Sequence, residues 1–127
     1  MNEEKSSGLL GRVFKTAWFS RAAAKAHIAD VERCSAIRQV MAGQADDLGG
    51  GVFKKRLDKN RSRSSILARG GRFWVYEYVF AKKDRANIED NQLAKLRKLA
   101  KAYEALTEQQ VNELIDVGSW MEICNGD

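Results

Sequence analysis

The sequence predicts a single α+β domain. Helical periodicity fills its first and last thirds, whereas the middle third reads as short strands punctuated by glycines, and such segregation of strands from helices marks the α+β class. The 127 residues suffice for one core and would bury roughly two-thirds of the surface the unfolded chain exposes. A hydrophobic share of 44% and a charged share of 31% are those of an ordinary globular protein, which excludes a disordered tail. We expect a flexible leader over 1–11, a domain over 12–123 and a tail over 124–127.

The elements follow in order. Arg12 to Lys15 suits a short first strand, and Thr16 then caps a helix rich in Ala22, Ala23, Ala24 and Ala26. A second helix starts near Ile28 or Asp30, with Val31, Cys34, Ile37, Val40 and Met41 on one face by three-and-four spacing, and it stops at Gly43. Asp46 and Asp47 read as loop acids. Gly49-Gly50-Gly51 is a turn: without a following Lys-Ser/Thr and helix it is no phosphate loop. Val52 to Leu57 is a strand, Asp58 to Arg61 a polar hairpin loop, Arg63 to Arg69 a strand, and Gly70-Gly71 a tight two-residue turn.

Arg72 to Phe80 (RFWVYEYVF) is the strongest strand signal, apolar on both parities except for Glu77, and so belongs at the centre of the sheet. Strict alternation puts Trp74, Tyr76, Tyr78 and Phe80 on one face and Phe73, Val75, Glu77 and Val79 on the other. An aromatic row of this kind is either core or a platform on which bases stack. A long helix follows from about Glu89 to Leu106, with Leu93, Leu96, Ala100 and Tyr103 as its stripe, widened by Leu99 and Leu106. Thr107 with Gln110 forms a capping box for a further helix bearing Val111, Leu114 and Ile115, which Gly118 ends. Trp120 to Ile123 returns as an edge strand or packs as a tail.

Charge is concentrated rather than spread. Val52 to Arg85 carries eleven basic residues against Asp58, Glu77 and Asp84, a net +8 in a chain whose formal charge is +5. Such a region attracts a polyanion, above all RNA, because each phosphate neutralised releases condensed counterions. Cys34 and Cys124 lie far apart in sequence and lack CxxC spacing, which supports neither a disulfide framework nor zinc and points to a reducing cytoplasm. No apolar run reaches the roughly 20 residues of a membrane span, and the leader lacks the apolar stretch of a secretory signal. His27 is the only histidine and reads as a surface or capping residue, so a histidine-based triad or metal cluster is excluded and no metal or cofactor is expected. Glu89 and Asp90 are helix-start acids.

What remains is arginine and lysine on strands, a toolkit adequate for RNA backbone cleavage. RNA carries its own nucleophile, the 2′-hydroxyl, so an enzyme can act by holding the strand for in-line attack and stabilising charge on the phosphorane-like transition state. Guanidinium groups suit that oxyanion bidentately. A lysine serves as general base only if neighbouring cations lower its pKa.

The stretches DLGGGVFKKRL, RSRSSIL and YVFAKKDRANIEDNQLAKLRKLA resemble the RelE/ParE-type bacterial toxins, in the branch with a GGG-V-x-K-x-R and an F-A-K-x-x-R-x-N-I motif, and the likeness runs from about Arg12 to Ile123. The resemblance implies a small antiparallel sheet packed on N-terminal helices with long C-terminal helices. It also implies the toxin half of a type II toxin-antitoxin pair, with a cognate antitoxin of helix-turn-helix type, and a ribosome-dependent mRNA endoribonuclease that enters the ribosome. Carried over residue by residue, Lys54, Arg56, Arg63, Lys82 and Arg85 match the catalytic basic positions, with Lys55, Lys59, Arg61, Arg72, Lys83 and Tyr78 as further RNA contacts. Where several ribosome-dependent members place a tyrosine after the last cluster, this chain has Asn87, Ile88 and Glu89, and it has no C-terminal histidine. Two other readings stand beside this one: a ParE-like inhibitor of DNA gyrase, and a non-enzymatic basic nucleic-acid-binding domain.

Overall fold

A computed structural model of the chain describes residues 11–56, 63–81 and 88–124. In order these form β1 (Arg12–Thr16), α1 (Ala17–Lys25), α2 (Asp30–Met41), β2 (Asp46–Gly49), β3 (Val52–Arg56), β4 (Arg63–Gly70), β5 (Phe73–Ala81), α3 (Asp90–Glu104), α4 (Glu108–Asp116) and β6 (Trp120–Ile123). The fold is α+β, as expected. The expected leader over residues 1–10 and the hairpin loop from Asp58 to Arg61 lie outside the described residues.

One sheet of six strands runs β2-β3-β4-β5-β1-β6, antiparallel at every step except β1 beside β5, where Arg12 to Lys15 pair in parallel with Phe73 to Tyr76. The apolar parity of β5 explains its inner place, because each of its faces is covered. Phe19 and Ala23 of α1 and Ile37 and Val40 of α2 pack with Val13, Leu67, Trp74 and Tyr76 on one side. Ala100 and Tyr103 of α3 and Val111 of α4 pack with Phe14, Ala68, Phe73 and Val75 on the other. A third cluster joins Val52, Ile66 and Leu96. Helix α3 crosses β4 so closely that a Cβ on Gly70 would fall on Tyr103 Cβ and the Ala100 carbonyl, so only glycine fits there.

Local signals mostly form as written. The Thr16 hydroxyl accepts from the Phe19 N–H at 3.0 Å, and Thr107 with Gln110 closes both bonds of the capping box at 3.1 and 2.9 Å. Trp120–Ile123 is an edge strand, paired with β1 and tied to it by a bidentate pair in which Arg12 donates to both Glu122 oxygens at 2.9 and 2.8 Å.

Several expectations are corrected. Asp46 and Asp47 are not loop acids but the start of edge strand β2, paired with Lys54 and Phe53. The two-residue turn is Gly71-Arg72 rather than Gly70-Gly71, since Gly70 still pairs with Phe73. Leu99, expected to widen the α3 stripe, is largely exposed. In α2 the inward face is rotated: Val31 is exposed and Arg33 is buried. Arg33 is tolerated because its Nη2 donates to the Ile28 carbonyl at 3.0 Å and to Asp30 at 2.5 Å, and its guanidinium lies over the Phe19 ring. Burial works against the Asp30 charge, but the hydrogen bonds from Arg33 and Lys15 outweigh it and hold the carboxyl below its ordinary value. The largest correction concerns the cysteines. Cys34 and Cys124, 90 residues apart, form a disulfide with Cα atoms at 5.4 Å, so β6 is fastened to α2 and the argument for a reducing compartment from unpaired cysteines falls.

Candidate functional site

The basic residues of β3 and β4 converge on the end of their hairpin where β3 leads into β4, and strand register sorts them onto two faces. Registered partners share a face, so Lys54, Ile66 and Tyr78 form one cross-strand row and Arg56, Ser64 and Phe80 the next. Ile66 and Phe80 pack with Val52 and Leu96, which places both rows on the α3 side. Lys55, Ser65 and Val79 form a row on the opposite side, where Val79 joins Trp74 and Tyr76, and Arg63 with Ala81 follows that row. Lys54 and Arg56 therefore share a face, whereas Lys55 and Arg63 stand on the other.

This sorting depends on one irregularity. Ile66 pairs with Tyr78 and Leu67 with Tyr76, so Glu77 is an extra residue in β5 and the alternation is reset beyond it. Phe80 and Val79 consequently exchange the faces that strict period two assigns them. Tyr78, expected in the row of Trp74, Tyr76 and Phe80 and as an RNA contact, joins the Lys54 row and is 38% exposed.

Arg72 is not brought to this site. It lies in the turn at the far end of β5, with its carbonyl accepting from the Arg12 N–H. The seven residue steps from Gly70 to Arg63 put about 23 Å between it and the end of the sheet that carries Arg56 and Arg63. Lys59, Arg61, Lys82, Lys83, Arg85 and Asn87 lie outside the described residues.

The glycine turn is a brace. Gly49, Gly50 and Gly51 all have positive φ, 86°, 63° and 86°. Arg97 of α3 donates to the carbonyls of Leu48 and Gly49, and its stem occupies the space a Gly50 Cβ would need. The Gly49 N–H already donates to the Asp47 carboxylate at 2.8 Å. The Gly49 N–H is therefore not available to a phosphate. The depression beside the turn is lined by Asp47 and Glu104 against Arg69, which again disfavours an anion.

Glu77 is buried where the bulge turns it toward α3, and it accepts a hydrogen bond from the Tyr103 hydroxyl at 2.5 Å. Desolvation by burial raises its carboxyl above the ordinary range, only partly opposed by that hydrogen bond. A carboxyl whose folded-state pKa is raised contributes stability below its unfolded value, which is lost as pH climbs through the folded one. Glu77→Gln keeps a hydrogen-bonding group and removes the charge. In thermal melts from pH 4 to 8 the variant should gain over the parent as pH rises, by about 4 °C per kcal/mol relieved. An unchanged difference across that range would mean that Glu77 does not titrate as described.

Sequence reading passed over one further residue. Trp18 in the first turn of α1 is 47% exposed, and its ring meets that of Tyr78 edge-on, centroids 5.2 Å apart. The available signal was phase: Trp18 precedes Phe19 and Ala23, the residues that carry the buried face of α1. His27 is exposed at the end of α1 with a φ of 58°, remote in role from any base.

Among the described residues no group of histidine, cysteine, aspartate or glutamate side chains is arranged to hold a metal ion, and no helix is long and apolar enough to cross a membrane. Comparison with curated proteins and with solved structures finds no match. The family model of the RelE toxin of the RelE/RelB toxin-antitoxin system matches residues 11–123, which spans every described strand and helix. With that span and the α+β architecture in agreement, the chain belongs to the RelE family and is a toxin of a toxin-antitoxin system, with an antitoxin as its partner.

Proposed function

We propose that this toxin is a ribosome-dependent mRNA endoribonuclease that inhibits translation in the cytoplasm and is neutralised by an antitoxin of helix-turn-helix type. The supporting observation is the gathering of Lys54, Lys55, Arg56 and Arg63 at the end of the hairpin where β3 leads into β4, in a chain whose single histidine lies elsewhere. An RNA strand wrapping that end meets cations on both faces. Lys54 and Arg56 hold the phosphates flanking the scissile bond, and Arg63 stabilises the charge that develops in the transition state. The 2′-hydroxyl gives its proton to water as its oxygen attacks phosphorus, the bond to the 5′-oxygen breaks, that oxygen takes up a proton, and a 2′,3′-cyclic phosphate and a 5′-hydroxyl result. Lys82 or Arg85 protonates or screens the leaving 5′-oxygen, and Lys55, Lys59, Arg61 and Lys83 add backbone contacts.

Without a tuned general base, orientation is the main source of rate, and the ribosome supplies it. Induction in cells followed by mapping of RNA 5′ ends, beside a gyrase supercoiling assay, tests the reading. Cuts confined to translated messages are expected. Inhibited supercoiling without cuts would replace this reading with that of a gyrase inhibitor.

A further inference from the structure

We infer that Trp18 and Tyr78 form a stacking step that receives an unpaired base of the bound RNA. The inference rests on the RNA-cleaving reading above and adds a residue from outside the basic segment. Its starting point is where β1 leaves β5: the last registered pair is Lys15 with Tyr76, and Thr16 goes on to pair with Trp120 of β6. Beyond Tyr76, β5 has β4 on one side and no described strand on the other, and α1 begins at Ala17 beside that gap. Trp18 and Tyr78 fill its mouth with rings inclined at 77°, an edge-to-face pair that leaves ring faces open to a third planar group.

The surroundings select the occupant. Arg21 and Lys25 follow Trp18 at helical spacing and are exposed, and α1 (AWFSRAAAK) contains no acidic residue. Tyr78 stands in the row of Lys54, two strand spacings or about 10 Å away, with Arg56 in the next row. Two exposed rings beside cations on both elements suit a base whose flanking phosphates are held by arginine and lysine. A protein partner would need a contiguous apolar surface.

The other two tryptophans, Trp74 and Trp120, are 6% and 4% exposed, so quenching by acrylamide reports on Trp18. The probe is a short 2′-O-methyl oligoribonucleotide, which binds but lacks the nucleophile. Its titration at low salt should shield Trp18 from acrylamide. Trp18→Ala should weaken binding between about 5- and 100-fold, the range for one stacked base, whereas Trp18→Phe should lose less and Tyr78→Phe least. An abasic version of the oligonucleotide should bind the parent and the Trp18→Ala variant alike. If the parent binds the probe but Trp18→Ala binds equally well, with acrylamide quenching of the parent unaltered, the stacking step is overturned while the RNA reading stands. Loss of antitoxin binding in that same variant would then identify the pair as a protein anchor. If the parent binds no oligonucleotide at any salt concentration, the RNA reading and the stacking step fall together.

Discussion

Arg63→Ala is expected to abolish growth arrest while the protein stays folded. Arg63 is the first residue of β4, half-buried, and paired in register with Ala81 at the end of β4 and β5 opposite the Gly71-Arg72 turn, so truncation creates no core cavity. Stability should stay within about 1 kcal/mol of the parent. If its guanidinium stabilises transition-state charge, cleavage on the ribosome should fall about 10²- to 10³-fold at saturating message, the effect of removing one preorganised donor from such a site. Arg63→Lys should recover only part of the rate, because a point charge does not reproduce bidentate geometry. Arg56→Ala should behave differently, weakening RNA binding and lowering the slope of log affinity against log salt by about one, the signature of a phosphate contact. A folded Arg63→Ala variant that remains fully toxic would remove Arg63 from the reaction.

Reducing the Cys34–Cys124 bond should lower stability more than any single surface substitution. The bond closes a loop over 90 residues of sequence separation, and a loop of that length corresponds to about 4–5 kcal/mol in the chain-entropy account. Urea denaturation with and without reductant, and of Cys124→Ser, measures the effect. A lower midpoint of similar size is expected for both, since Cys124 is only partly buried and its replacement leaves little void. An unchanged midpoint on reduction would mean that the Arg12–Glu122 pair and the β1–β6 ladder already hold the C-terminal strand unaided.

Much of the fold was legible because its signals are local. Thr16 and the Thr107–Gln110 box act within one helical turn, so their sequence patterns and their geometry coincide. The apolar run Phe73–Ala81 declared an inner strand because two covered faces demand apolar residues of both parities. The misplacements have a common origin in contacts between residues distant in sequence. Strict alternation was the right rule for β5 until Glu77 was extruded opposite Ile66, and a bulge is set by the partner strand, which β5 itself does not encode. Helical spacing puts Arg33 on the face of Ile37 and Val40, where its charge argued against burial, and the Ile28 carbonyl, Asp30 and the Phe19 ring give it a buried seat.

By itself the sequence determined the class of fold, its four helices and four of its six strands, the RelE family, and the net +8 concentrated between Val52 and Arg85. Those properties reside in periodicity, capping and charge, each read over a few residues. Only the tertiary structure decided that Lys54 and Arg56 share a face while Arg63 takes the other, that Arg72 lies at the far end, that Trp18 meets Tyr78, and that Cys34 meets Cys124. Strand register, the exit of β1 from β5 and the return of β6 set these pairs, and each depends on packing between segments separated by tens of residues.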